Sequence, residues 1–218
     1  MSQETTAPAP WKLTGSGYLI FYRFDEAFVA PWIPDPLKDR WRGGIGFVGF
    51  VDYRTSNVGA YREILFIPGR FDDGKKNRHS ITQIFVSTYA SVIGGRANWG
   101  IPKERADFDI KMLPDGSDIL TASAIDGGMI AQLHVKQGLV KLPLPSTRLC
   151  PVTISQWYEG SLYRTRFWGS GRLSLLEVES AHGDGRNFPD VSGIQPIGAF
   201  KISDFRLTFS AAKVEAAV

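Results

Sequence analysis

Two short segments of this sequence carry residue types that can do chemistry together. Residues 94–103 read Gly-Gly-Arg-Ala-Asn-Trp-Gly-Ile-Pro-Lys and end on Lys103. A lysine amine attacks a carbonyl only when neutral, so it needs desolvation or a neighbouring cation. Trp99 and Ile101 are aromatic and apolar neighbours that can exclude water from it. On spacing alone, however, Lys103 reads as a surface lysine at a strand start, the fate of most lysines. The other segment, residues 56–63, reads Ser-Asn-Val-Gly-Ala-Tyr-Arg-Glu and runs into an apolar strand. There Tyr61, Glu63, Leu65 and Ile67 share one face, and Arg62, Ile64 and Phe66 share the other. Glu63 keeps apolar company, which suits a carboxylate to proton transfer. A glutamate at a strand end paired with an arginine fits the same pattern, and both readings stand.

The elements that must hold these residues are mostly strands. Short apolar or alternating runs punctuated by Gly, Pro and Asp recur along the chain. Residues 18–24, 45–52, 61–67 and 80–88 read as strands, with turn composition over 53–60. Asp25 can cap a short helix through Ala30, which Pro31 and Pro34 then stop. Residues 89–99 hold small residues and two adjacent glycines, consistent with a short helix or an irregular loop. Residues 105–113, 118–125 and 129–137 form an antiparallel run joined by Pro-Asp-Gly and Asp-Gly-Gly turns. After a Pro-rich link over 142–151 come strands over 152–158, 162–168, 172–180 and 197–209. In the third of these, Leu175-Leu176 breaks the alternation, and a bulge there would restore it. If the strand after Pro102 begins at Lys103, that lysine joins Arg105, Asp107, Asp109 and Lys111 on a polar face.

Composition excludes several other classes. The 218 residues carry 25 Lys+Arg against 22 Asp+Glu, a net charge of +3 that makes no case for nucleic acid. The one basic cluster, Lys75-Lys76-Asn77-Arg78, reads as a solvated turn. The three histidines lie far apart, without metal spacing; His134 reads as an exposed residue and His182 as part of a plain surface loop. No Gly-x-Ser-x-Gly elbow occurs, and Gly43-Gly44-Ile45-Gly46 leads into a strand and lacks the geometry of a phosphate loop. The single cysteine, Cys150, reads as a small buried residue. Residues 1–10 lack a charged and apolar leader, and no run reaches 18 apolar residues, so a cytoplasmic protein with no membrane partner is expected. The expected organisation is a flexible stretch over 1–12, one β-rich domain over 13–212 and a tail over 213–218.

The sequence resembles the acetoacetate decarboxylase superfamily. The matching pieces are Tyr22-Arg23-Phe24-Asp25 with residues 33–37 (Ile-Pro-Asp-Pro-Leu), then residues 56–63, then Gly95-Arg96 with Pro102-Lys103. They occur in family order, and the resemblance is clear over residues 15–110. It implies a mainly β fold, an antiparallel barrel or cone with one or two short helices around an internal apolar cavity, often in oligomers. It also implies that Lys103 forms a Schiff base with a ketone or keto acid and that Glu63 lines the cavity. Three departures stand out. The decarboxylases follow the nucleophilic lysine with a second one, whose charge activates it; here that position is Glu104. Gly15 stands where they carry an arginine, leaving Arg96 or Arg23 as substitutes, and Val48 stands where they carry a second cavity glutamate.

The expected function is an acetoacetate decarboxylase-like enzyme acting on a small keto acid or ketone without a cofactor. Lys103 and Glu63 are its catalytic residues, and Tyr61, Arg96, Trp99 and Glu104 contact the substrate. Because the cationic helpers are missing, aldol or dehydration chemistry fits as well as decarboxylation. The alternative is a binding protein, or an enzyme without a Schiff base, for an apolar terpenoid- or lipid-like ligand.

Overall fold

The computed structural model describes residues 6–216. Its strands are β1 (Trp11–Arg23), β2 (Ile45–Thr55), β3 (Tyr61–Ile67), β4 (Arg70–Asp72), β5 (Asn77–His79), β6 (Gln83–Val86), β7 (Glu104–Arg105), β8 (Asp107–Met112), β9 (Ser117–Ser123), β10 (Met129–Gln137), β11 (Leu142–Leu144), β12 (Val152–Tyr158), β13 (Ser161–Gly183), β14 (Gly198–Phe209) and β15 (Lys213–Ala216). Two α-helices, α1 (Glu26–Val29) and α2 (Tyr89–Trp99), and short 3-10 turns complete the order. The main hydrogen-bonded path runs β4-β5-β12-β13-β14-β1-β2-β3-β6-β7, with β8, β9 and β10 branching from β13. Pairing is antiparallel except at β5–β12 and β6–β7. The mainly β expectation holds, but the path ends at β4 and β7 without closing, so the expected barrel or cone is an open, curled sheet.

Sequence logic explains most boundaries. The Asp25 carboxylate accepts the Phe28 N–H at 2.8 Å and starts α1 as expected. Residues 89–99 are helical, capped by Thr88, whose hydroxyl accepts the Ser91 N–H. Gly100 ends α2 in the left-handed conformation at φ +61°. Strand β1 begins at Trp11, which is fully buried, so regular structure reaches into the stretch expected to be flexible, and β15 likewise occupies most of the expected tail. Residues 1–5 and 217–218 of those two stretches lie outside the described residues.

The two strands expected over 162–168 and 172–180 are one 23-residue strand, β13, which pairs with β10, β11, β12, β14 and β15 along its length. The expected bulge at Leu175-Leu176 is absent. Leu175 pairs with Phe200 and Leu176 with Gln137, and Leu175 simply faces solvent. The register shifts instead between Ser170 and Arg172, and across from His134 and Val135. Cys150 is exposed, not buried, because residues 145–150 run over the surface. His134 is half-buried, between the Ser117 hydroxyl and the Glu179 carboxylate.

Strands β1 to β3 bury both faces. Ile20, Tyr22, Val48, Phe50, Ile64 and Phe66 pack into one core, which β8 to β10 cover. Leu13, Val51, Tyr53, Tyr61, Leu65 and Ile67 face the other. That is why β3 is apolar at nearly every position and not only on alternate ones.

The basic cluster of residues 75–78 is more than a solvated turn. Next to it Asp73 is buried, and its carboxylate accepts the Lys75 and Lys76 N–H groups, the Ser155 hydroxyl at 2.7 Å and Arg164 Nε at 3.0 Å. Arg78 also pairs with it, and Arg164 continues to Glu215 at 2.6 Å. This network ties the β4–β5 turn to β12, β13 and β15. Burial pushes the Asp73 carboxyl up, but the backbone donors, Ser155 and Arg164 outweigh burial and hold it below the usual carboxylate range. Its stabilising effect is therefore present above the unfolded value of about 3.9 and is lost as the pH falls below it. Asp73→Asn is expected to lower Tm at pH 7 by on the order of 10 °C, since breaking a buried ion pair costs about 3–5 kcal/mol. Thermal melts from pH 7 to pH 2 should also show a shallower acid-side loss for the variant than for the wild type.

Candidate active site

Lys103 precedes β7 and does not join its alternation. The Lys103 N–H donates to the Ile101 carbonyl at 2.8 Å, a tight turn after Pro102 that rotates the side chain inward. The residue is 3% exposed, so the expected polar-face placement with Arg105 and Asp107 is wrong. Its amine lies 3.2 Å from Glu63 Oε2, 3.1 Å from the Ser91 hydroxyl and 3.5 Å from the Tyr61 hydroxyl. It also sits 4.9 Å from the centre of the Tyr61 ring, a cation–π distance. The Tyr53 hydroxyl donates to the other carboxylate oxygen of Glu63 at 2.9 Å. Each charged atom of this buried pair thus has a partner, as a site poor in water requires.

Four elements supply the group. Tyr61 and Glu63 stand two apart on β3, and Tyr53 pairs directly with Tyr61 from β2. Ser91 projects from α2, and Gly95 follows it by one helical turn on the same face. A Cβ at Gly95 would lie 2.6 Å from Lys103 Cδ, so this glycine is the groove in which the lysine stem lies. A Cβ at Gly94 would meet the Trp11 indole at 2.5 Å, so the pair of glycines seats the helix against both neighbours. Burial, and next the Glu63 charge, push the Tyr53 and Tyr61 phenols well above their ordinary values. Both therefore keep their protons at neutral pH.

The amine opens into a cavity of about 420 Å³. Lys103, Glu63, Tyr61 and Trp99 line it together. Trp99 packs edge-on against Trp11 at 4.8 Å and donates its indole N–H to the Ser210 carbonyl. The other two expected contacts are not brought in. Arg96 lies outside the lining on α2, where its charge acts on Tyr158. Glu104 is exposed, opposite Phe85, and is also outside the lining. Arg23 is exposed at the end of β1. Gly15 has no room for a side chain, since a Cβ there would fall 2.1 Å from the Asp52 carbonyl oxygen. Val48 faces the opposite core, so it does not mark the place of a second cavity carboxylate.

Sequence reasoning missed Tyr53 and Ser91. Tyr53 was hidden by the turn composition over 53–60, although it continues the face of Val51 by period 2. Ser91 lies in the small-residue run, where only its one-turn spacing to Gly95 signals a shared face.

Comparisons with known proteins give the family and the fold. The model of the acetoacetate decarboxylase family matches residues 1–150. The chain belongs to the acetoacetate decarboxylase family. Its fold is similar to acetoacetate decarboxylase from Legionella pneumophila subsp. pneumophila str. Philadelphia 1, at TM-score 0.67 and 16% identity, covering 99% of this chain and 92% of that one. An acetoacetate decarboxylase-like enzyme from Sphingomonas wittichii RW1 gives 0.65 at 13% identity, over 96% and 94%. The enduracididine biosynthesis enzyme MppR complexed with pyruvate gives 0.62 at 14%, over 99% and 93%. No curated protein matches the sequence. Among the described residues no helix is long and apolar enough to cross a membrane.

The pair itself can be tested by a double-mutant cycle of Lys103→Met and Glu63→Gln, read by urea denaturation. Each single variant leaves one buried charged or polar partner unmatched and should lose about 3–5 kcal/mol. The double variant should lose less than the sum, with a coupling of at least about 1 kcal/mol. A separate variant, Gly95→Ala, should move the amine. Its Tm should fall, because the added Cβ presses on the Lys103 stem, while far-UV circular dichroism stays unchanged.

Proposed function

We propose that this chain is an acetoacetate decarboxylase-like enzyme that acts on a carbonyl substrate through a Schiff base on Lys103. The observation that supports it most is the amine itself, buried 3.2 Å from a carboxylate in the lining of an apolar cavity. Glu63 takes a proton from the Lys103 ammonium. The freed amine attacks the substrate carbonyl, forms the C–N bond as the C=O π bond breaks, and passes a proton from nitrogen to oxygen to give the carbinolamine. Glu63 then returns the proton to the carbinolamine oxygen, the C–O bond breaks, and water leaves an iminium.

The iminium withdraws electrons from the adjacent carbon. That sink serves lyase chemistry of several kinds, including loss of carbon dioxide, aldol addition or cleavage, and dehydration. Ser91 and the Tyr61 hydroxyl hold the amine during the exchange, and Tyr53 holds the carboxylate in line with it. With Glu104 pointing to solvent, no second lysine beside the nucleophile and no arginine at residue 15, decarboxylation lacks its usual cationic help. This favours the other lyase reactions.

Incubation with a ketone and sodium borohydride should add the reduced substrate mass to the protein, and peptide mapping should place it on Lys103. Lys103→Ala should abolish the adduct and keep a cooperative melt. Glu63→Gln should slow trapping by at least a hundredfold. An adduct that persists in Lys103→Ala, or none with any carbonyl compound from pH 6 to pH 9, would count against the reading.

A further inference from the structure

The lining of the cavity defines what fits against the amine. Leu13, Leu19, Val51, Leu65, Ile67 and Ile84 contribute hydrocarbon. Most of the polar side chains in the wall are already engaged with the protein. The Trp11 and Trp99 indoles donate to the Ala7 and Ser210 carbonyls. His79 Nε2 meets the Ile45 carbonyl at 3.0 Å, and burial pushes its imidazole down, toward the neutral form. The Thr147 hydroxyl is engaged with the Gly169 backbone on both sides. Arg206, the other cation of the described lining, is exposed to solvent. Lys103 is the buried cation of that lining, and Glu63 already matches its charge.

Size points the same way. At about 30 Å³ per water-sized group, a 420 Å³ cavity takes on the order of a dozen non-hydrogen groups. That is about twice what acetoacetate or pyruvate occupies, and the surplus space is walled by hydrocarbon.

We propose that the substrate is a neutral ketone or aldehyde carrying a hydrocarbon chain or ring, with the carbonyl at Lys103 and the apolar body filling the cavity, and not a small keto acid. The inference rests on the Schiff-base reading for the carbonyl and on the lining for the apolar body. The reaction forms the Lys103 N–C bond, expels the carbonyl oxygen as water, and leaves the chain in contact with Leu65 and Val51. A substrate without a carboxylate has no carbon dioxide to lose, so the iminium here serves carbon–carbon bond making or breaking, or dehydration.

Gly17 offers a handle on the cavity. A Cβ there meets nothing closer than 3.8 Å, and the residue lines the wall. The Cβ of Gly17→Leu therefore clears the backbone, and the side chain beyond it adds hydrocarbon to the space.

The test is a series of 2-alkanones from 2-butanone to 2-decanone beside acetoacetate and pyruvate, each trapped with cyanoborohydride on the full-length protein. Intact mass gives the half-saturating concentration. It should fall about three- to fourfold per added methylene until the cavity is full. Gly17→Leu should move the best chain to a shorter one and Leu65→Ala to a longer one, with thermal melts confirming that each variant is folded. A flat series, or acetoacetate or pyruvate saturating at lower concentration than 2-decanone, overturns the proposal. Tryptophan fluorescence with the matching 2-alkanols, which form no imine, separates the two layers. Chain-length-dependent quenching by the alcohols with no ketone adduct overturns the Schiff-base reading and the carbonyl part with it. Adducts with ketones but no chain-length dependence in either series overturns the apolar body alone.

Discussion

An ammonium and a carboxylate buried in hydrocarbon can persist only if every polar atom they carry finds a partner. Around Lys103 and Glu63 that demand shapes most of the local structure. Glu63 must lie on the cavity face of β3, where Tyr53 can reach its second oxygen. Helix α2 must bring Ser91 to the amine, and it must be slim at residue 95 for the lysine stem to pass. The turn after Pro102 must aim the side chain inward before β7 begins. Losing any of these leaves a charge in a wall with little to solvate it. The group is therefore a stability element as well as the proposed site of reaction.

The elements were legible where their signals are local. The Asp25 cap, the apolar β3 and the alternating β10 follow from short-range rules, and the β3 face pattern placed Glu63 and Tyr61 together. The course of β13 was not legible: the expected strands end at 168 and resume at 172, leaving Gly169 and Gly171 between them. Their tolerance comes from close approach to β14, where a Cβ at Gly171 would lie 2.9 Å from Ile202. The orientation of Lys103 was not legible either. A two-residue alternation predicts the wrong face whenever a proline-driven turn precedes the strand. Cys150 was misread because its apolar neighbours, Leu149 among them, are themselves exposed.

The departures from the family pattern are physically coherent with one another. A side chain at residue 15 would collide with the β2 backbone. Residue 104 is turned to solvent, so its negative charge is screened there and matters less to the amine than Glu63 does. The positions where the resemblance places substrate-side cations are here a backbone contact and a surface residue, while the amine and its carboxylate share the cavity lining. What differs is the means of gripping an anion; the amine and carboxylate that the proposed imine chemistry needs are both present.

Strand β1 pairs with β14 from Trp11 opposite Phe209 to Phe21 opposite Gly198, so cavity-lining residues from opposite ends of the chain sit side by side. The amine, its carboxylate and their hydrogen-bond partners all lie between residues 53 and 103. Part of the lining, with Ile154, Phe167, Ile202 and Phe205, lies between residues 152 and 209, and another part, with Leu13, Gly17 and Leu65, lies in or before the stretch that holds the amine. The shape of the ligand space is thus written at both ends of the gene. Drift in the C-terminal stretch can remould part of it while the amine and its carboxylate are untouched, which gives the scaffold a simple evolutionary route to new ligands.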